Sequence, residues 1–224
     1  MVVLATKCYV GGEARERALD SLESQVSNAL GDLDVAFDVG LRDDGFPAVT
    51  VSGPDATVAR NLLREEWGEL TPQSTPGETA VGTLDAWSDE GFVLDVGFDR
   101  EVRVPAANLG LGQGDPGQIR TRFGLVQHLP MTYVADDEGP RLADSERDRL
   151  YDWTRGDGRV NVNSATRSGV RATVNRAGHA GDIVTVERLG LLEQSVVCRE
   201  DTDPPGLVAS IGQYLPSELL CVVP

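Results

Sequence analysis

The chain has 224 residues, 40% of them hydrophobic, which is enough for packed cores and too many for a disordered chain. No run approaches the ~20 apolar residues that a membrane span needs. Its 36 acidic residues outnumber 20 basic ones, for a formal net charge of −16, and Lys7 is the only lysine.

The acids lie along nearly the whole chain, with no separate acidic tail. That spread predicts a halophilic surface, because at molar salt the screening length falls to about 3 Å and like charges no longer repel across it. The net sign then excludes little about nucleic-acid partners. Such a partner would be held by stacking, hydrogen bonds and locally placed arginines, since counterion release contributes little in brine.

The chain opens on Val2 to Val10, an apolar β-branched run that predicts a strand and ends at Gly11 and Gly12. No basic segment or cleavage site precedes it, so no signal peptide is expected and the location is read as cytoplasmic. From Glu13 to Leu33, Leu19, Leu22, Val26, Ala29, Leu30 and Leu33 recur at helical spacing. Val35, Phe37 and Val39 alternate with Asp34, Ala36 and Asp38, which marks a half-buried strand. After the turn Asp43-Asp44-Gly45, Ala48 to Ser52 is the next strand. Asp55 is the expected N-cap of a helix whose apolar face is Val58, Ala59, Leu62, Leu63 and Trp67. Residues 1–70 thus read as a βαββα module, and Thr71 to Thr79 as a linker rich in proline and small polar residues.

Residues 79–140 are β in character. Ala80 to Trp87, Phe92 to Val96, a run around Val102 and Val104, and Leu129 to Val134 predict strands, and Gln118 to Phe123 a helical turn. Short strands around a glycine-rich loop suit a small OB-like β-barrel. The pattern V-G-T-L-x-x-W-x-x-x-G-F-V-L-D-V-G from Val81 to Gly97, followed by E-V-R-V-P from Glu101, resembles the opening strands of RNA-binding OB barrels of translation and RNA-decay factors. The binding-face aromatic of such barrels corresponds to Phe92, although the closest alignment puts Val93 there, and Trp87 on the first strand is a candidate stacking residue. Residues 141–158 hold a charged connecting helix, Asp144 to Thr154, with Leu150 and Trp153 on its apolar edge.

Residues 159–224 repeat the order strand, helix, strand, strand, helix, strand: Val160 to Asn163, a helix capped by Ser164 and running to about Ala177, Ile183 to Val186, Ser195 to Cys198, Pro204 to Leu215, and Leu219 to Val223. That is the order of a ferredoxin-like sandwich. The expected fold is α+β, two ferredoxin-like βαββα(β) modules flanking the OB-like barrel. Cys8, Cys198 and Cys221 lie far apart in apolar runs, which predicts buried free thiols.

Four stretches are similar to the archaeal domain-of-unknown-function family 2110. They are Leu62 to Leu70 (LLREEWGEL), Gln118 to Pro130 (QIRTRFGLVQHLP), Leu150 to Val174, and Gly178 to Val197. The resemblance spans essentially the whole chain and implies a full-length, salt-adapted member. It implies no activity.

The most distinctive chemical feature is Arg159 to Gly181, which holds Arg159, Arg167, Arg171, Arg176 and His179 and no acid. On the predicted helix Arg167, Arg171 and Asn175 are four residues apart and share a stripe. Asn161 and Asn163 point to one face of their strand. Arginine and asparagine together grip phosphates and base edges; pairing of the arginines with acids elsewhere is the plainer alternative. Arg120, Arg122 and His128, beside the glycine-rich loop, form a second candidate set, with surface pairing again the alternative.

Gly112 to Gly117 matches G-x-G-x-x-G, but Pro105 to Asn108 separates it from the preceding strand, so it is not read as a dinucleotide site. No G-x-S-x-G, H-E-x-x-H, Walker-type G-K-[ST] or metal-spaced Cys/His set appears, and Glu65, Glu66, Glu187 and Arg188 read as solvated or paired charges. The function expected is a non-enzymatic factor that binds RNA or an RNA-bearing machine, the ribosome or RNA polymerase. The alternatives are a small-molecule-sensing regulator and a magnesium-dependent enzyme.

Overall fold

Apolar periodicity resolves into three antiparallel sheets among the described residues, 1–73, 75–136 and 139–224, of a computed structural model. Ser74, inside the expected linker, and Asp137 and Glu138, inside the expected barrel segment, lie outside those residues.

The first third holds β1 (Val2–Val3), α1 (Gly12–Leu30), β2 (Ala36–Leu41), β3 (Pro47–Ser52) and α2 (Ala56–Trp67). β3 lies between β1 and β2 and is antiparallel to both. α1 buries Ala18, Leu22, Val26 and Leu30, a four-residue repeat that keeps one face on the sheet and beside α2. It ends at Gly31, earlier than the apolar spacing suggested. Asp55 stands at the start of α2, yet its carboxylate accepts from the Asp34 amide (2.9 Å) and ties β2 to the helix.

The expected strand Val2 to Val10 is paired as a ladder only at Val2 and Val3. Leu4 bridges Glu69, and the Leu70 amide donates to the Val3 carbonyl, so the segment after α2 runs beside β1. Beyond Leu4 the chain leaves the sheet because its polar groups serve other partners. Thr6 Oγ1 accepts from the Leu191 amide (2.7 Å), and the Cys8 amide donates to the Gly45 carbonyl (2.8 Å).

The middle third holds β4 (Thr79–Ser88), β5 (Gly91–Asp95), β6 (Glu101–Pro105), α3 (Pro116–Arg122), β7 (Pro130–Val134), β8 (Arg141–Leu142) and α4 (Asp144–Trp153). The sheet order is β6-β5-β4-β7-β8. A bulge between Leu84 and Ala86 bends β4, which pairs with β5 and with β7, and the sheet curls into a half-barrel whose end strands β6 and β8 approach each other. Leu84, Phe92, Leu94, Val104, Met131 and Tyr133 fill it, and Ile119 of α3 and Phe123 just after it are buried among them. Asp115 and Gln118 close the start of α3 as a capping box (2.9 and 3.1 Å). The G-x-G-x-x-G segment is the loop that leads into α3, and a 3-10 turn at Ala106–Asn108 precedes it rather than a strand.

The last third holds β9 (Arg159–Val162), α5 (Arg167–Arg176), β10 (Ile183–Arg188), β11 (Gln194–Cys198), α6 (Pro204–Ile211) and β12 (Leu219–Val222), in the sheet order β10-β11-β9-β12 with antiparallel neighbours. Thr166 caps α5 through Gly169 (3.3 Å), not Ser164 as the sequence suggested. Ser164 has a positive φ of 58° and turns its amide onto Tyr9 Oη (2.8 Å). Cys8 and Cys198 are buried, Cys221 is half-buried, and all three are free. Burial pushes the Cys198 thiol up to about 11.

The three cores interlock. Leu191 and Leu192, between β10 and β11, are each 2% exposed and sit in the core of the first third. Val222 of β12 reaches the half-barrel core, and Gly124 (φ +63) lets it do so: a Cβ there would stand 2.8 Å from Val222 Cγ2. Among the described residues no helix is long and apolar enough to cross a membrane.

Leu192→Ala is expected to cost about 2–5 kcal/mol of unfolding free energy, as truncation of a buried leucine does. Val184→Ala, at a position 61% exposed, is expected to stay within about 0.5 kcal/mol. Denaturant titration of both variants in molar KCl checks this.

Candidate functional site

α5 is amphipathic in a simple way. Val170, Thr173 and Val174 are buried, which leaves Arg167, Arg171 and Asn175 exposed on the opposite stripe. Arg167 Nε donates to the Val186 carbonyl (2.6 Å), which fixes the base of the side chain. Among the described residues Arg167 makes no ion pair, and the side chains of Arg171 and Asn175 make neither an ion pair nor a hydrogen bond.

Arg167 and Arg171 of this stripe face α1 across a cleft of about 410 Å³, lined by Ser21, Ser24 and Gln25 of α1, Arg167, Ser168 and Arg171 of α5, Arg188 of β10, and Leu191 and Gln194. The first turn of α5 lies on its wall and adds the partial positive charge of a helix N-terminus. Arg188 is held rigidly, donating to Gln25 Oε1 (2.5 Å) and Glu66 Oε1 (2.7 Å) with its guanidinium 3.8 Å above the Trp67 ring. The cleft is therefore cationic within a chain of net charge −16, and its two walls come from the first and last thirds.

The other residues singled out from the sequence go elsewhere. Asn161 and Asn163 share a face of β9, as expected, but that face is covered by the half-barrel. Asn161 is 0% exposed and its Nδ2 donates to the Gly124 carbonyl (2.8 Å); Asn163 is 6% exposed and donates to the Gln127 carbonyl (3.2 Å). Both are buried, because Val160 and Val162 take the helix side and leave the asparagines toward the neighbouring unit. Phe92 is likewise 0% exposed, inside the half-barrel core rather than on a binding face.

Trp87 is half-buried under the Arg120 guanidinium (3.7 Å), and Arg120 is buried and ion-paired with Glu218. Arg122 donates to the carbonyls of Gln113 (2.9 Å) and Leu111 (2.7 Å). Arg159 pairs with Glu187 (3.1 Å) and lies over Trp153 (4.8 Å). Arg176 lies over Tyr214 (4.9 Å) and has no carboxylate partner among the described residues.

His179 bonds Asp182 through Nδ1 (2.6 Å) and Ser210 through Nε2 (2.8 Å). The Ser-His-Asp order is suggestive, but Ser210 lies in the last turn of α6, where the helix carries partial negative charge and opposes a serine alkoxide. The chain ties α6 to the end of α5. Among the described residues no group of three or more His, Cys, Asp or Glu side chains is placed to hold a metal ion.

His128, expected with Arg120 and Arg122 to form a binding set beside the glycine-rich loop, belongs instead to a second cluster. It has a positive φ of 67°, and its ring stacks on Tyr9 with centroids 3.9 Å apart. Burial first, then the charge of Lys7, holds its pKa down and keeps the ring neutral. Tyr9 Oη donates to Glu193 Oε1 (2.7 Å) and accepts from the Ser164 amide. Glu193 is 0% exposed, and burial pushes its carboxyl up to about 8. Residues from all three thirds of the chain thus meet at Tyr9. Neither Tyr9 nor Glu193 carries a local sequence signal, since each is an ordinary polar residue beside an apolar run.

Family models match nearly the whole chain: the DUF2110 N-terminal domain at residues 1–73, the DUF2110 central domain at 74–154 and the DUF2110 C-terminal domain at 157–223. Of the curated proteins, none matches.

Glu193 sets a pH expectation. Its folded-state pKa lies above the ordinary value of 4.5, so folding takes up a proton between about 4.5 and 8. The contribution is fully present below 4.5 and is lost as pH rises through 8. Glu193→Gln, which keeps the shape and stays neutral, is expected to flatten this slope and to melt above the parent protein at alkaline pH. Melting curves across that range in molar KCl measure the difference.

Proposed function

We propose, for a chain that belongs to the DUF2110 family, a non-enzymatic cytoplasmic factor that contacts RNA or an RNA-bearing machine such as the ribosome or RNA polymerase. The observation that carries this reading is the exposed stripe Arg167, Arg171 and Asn175, which has no carboxylate partner among the described residues although acids outnumber bases 36 to 20. Arginines without local acids bind phosphate through paired N–H groups, and this contact does not depend on counterion release. The acid-rich remainder is read as the solubility coat of a halophilic archaeal protein.

Two features of architecture support the reading. The last third has the order β10-β11-β9-β12 with α5 and α6 packed on one side, which fits a ferredoxin-like sandwich. The first third, with β3 between β1 and β2, fits a shortened copy. The curled sheet β6-β5-β4-β7-β8, with α3 between its third and fourth strands, fits an OB-like barrel. In this reading the contact surface is α5 and its cleft. The half-barrel acts as the spacer, because Phe92, Trp87 and Arg120 are occupied inside the protein.

Single-stranded RNA is expected to bind in molar KCl, measured by fluorescence anisotropy, and ribosomes to retain the protein in sedimentation. Arg167→Glu with Arg171→Glu is expected to weaken binding by at least about tenfold, the scale of one lost charged hydrogen bond. Arg171→Glu alone should leave melting unchanged, because that side chain is exposed and makes no hydrogen bond or ion pair among the described residues, whereas Arg167→Glu also removes the bond to the Val186 carbonyl. Absence of RNA and ribosome binding from the parent protein, or equal binding by the variant, removes the proposal.

A further inference from the structure

The cleft between α1 and α5 contains an atom that its anion-binding groups do not explain. Gln194 lines it and is 1% exposed. Its Nε2 donates to the Ala165 and Leu191 carbonyls (both 3.2 Å), so the orientation of the amide is set and Oε1 is the free end. Oε1 is buried without a partner among the described residues. Buried acceptors in folded proteins are almost always paired, so an unpaired one on a cleft-lining side chain calls for a donor from outside. A fully ionised phosphate ester or a carboxylate cannot supply it, because its oxygens only accept.

The cleft thus asks for two things at once. Arg167 and Arg171 are one helical turn apart on one wall and present guanidinium N–H groups to a phosphate, with the first turn of α5 behind them. Gln194 asks for an N–H donor deeper in. Leu191 adds an apolar part to the lining, and Ser21 and Ser168 offer hydroxyls on either wall. A volume of about 410 Å³ lies in the range of small-molecule sites.

We propose that this cleft is a nucleotide-binding site: Arg167 and Arg171 hold the phosphate, and the Gln194 carbonyl oxygen accepts from an N–H on the base edge. Every nucleobase carries such a donor, on an exocyclic amine or a ring imide. The ligand is a nucleoside phosphate, either free or one unit of an RNA strand, and in the second case the site deepens the RNA reading above. The two walls belong to different thirds of the chain, so occupancy also bridges α1 to α5.

Calorimetric titration of the full chain in molar KCl tests this. The probes are adenosine 5′-monophosphate, uridine 5′-monophosphate, ribose 5-phosphate, inorganic phosphate, a phosphoserine peptide and a single-stranded oligoribonucleotide. The nucleotides are expected to bind and to raise the melting temperature, with ribose 5-phosphate weaker by at least about tenfold for want of a base donor. Arg171→Glu, at an exposed and unpaired position, is expected to abolish nucleotide binding without altering the melting of the free protein. If the oligoribonucleotide binds and the mononucleotides neither bind nor compete with it, the nucleotide site is wrong and the RNA reading stands. If the mononucleotides bind and the oligoribonucleotide does not, the site stands and the RNA reading fails. Equal binding of inorganic phosphate or ribose 5-phosphate, or binding of the phosphopeptide alone, overturns the site.

Discussion

The arrangement of this molecule depends on the tip of one hairpin. Between β10 and β11 the chain leaves its own sheet and places Leu191 and Leu192 in the core of the first third, while Glu193 meets Tyr9 beneath them. Burying two leucines contributes about 1.5–3 kcal/mol each, which is large against the marginal stability of a small domain. The polar groups carried in with them are matched in part: the Leu191 amide finds Thr6, and Glu193 accepts from Tyr9. Without this insertion α1 and α5 would not face each other, and the cleft with Arg167, Arg171 and Gln194 would have one wall.

The same junction explains an unusual carboxyl. Glu193 is completely enclosed, with one oxygen bonded to a phenol and the other unpartnered among the described residues. A charge there would lose its hydration with little in return, so the group is neutral over most of the ordinary pH range. Surface charge obeys a different rule. Exposed pairs such as Arg155 with Asp152 contribute little, and less still in high salt. The pairs that join units are shielded instead: Lys7 with Asp95 (2.5 Å), and Arg120 with Glu218 beneath the barrel rim.

Much of this was legible from residue order. The four-residue spacing of Leu22, Val26 and Leu30 specified α1, and the alternation around Phe37 and Val39 specified β2. The acid-free run ending at Gly181 pointed to α5, whose i, i+4 stripe stays exposed as the pattern implied. Where the reading failed, it failed at faces. A strand has two sides, and composition does not say which one another unit will cover. Asn161 and Asn163 looked like ligand contacts and are rivets to Gly124 and Gln127, and Phe92 looked like a stacking platform and is core.

Local chemistry along the chain by itself determined the elements, the mixed α+β class and the basic helix, because helix and strand periods and the exclusion of acids are properties of neighbours in sequence. Which arginines stay unpaired, and which of them share a cavity, was decided only by tertiary structure. Arg159 and Arg171 look alike in sequence, yet one meets Glu187 across a sheet and the other faces α1 across a cleft. Arg188 and Gln194 join that cleft from elements with no basic signature, and Tyr9 and Glu193 meet across 184 residues. Contacts at such separation follow from how three cores interlock, a long-range packing outcome that no local pattern encodes.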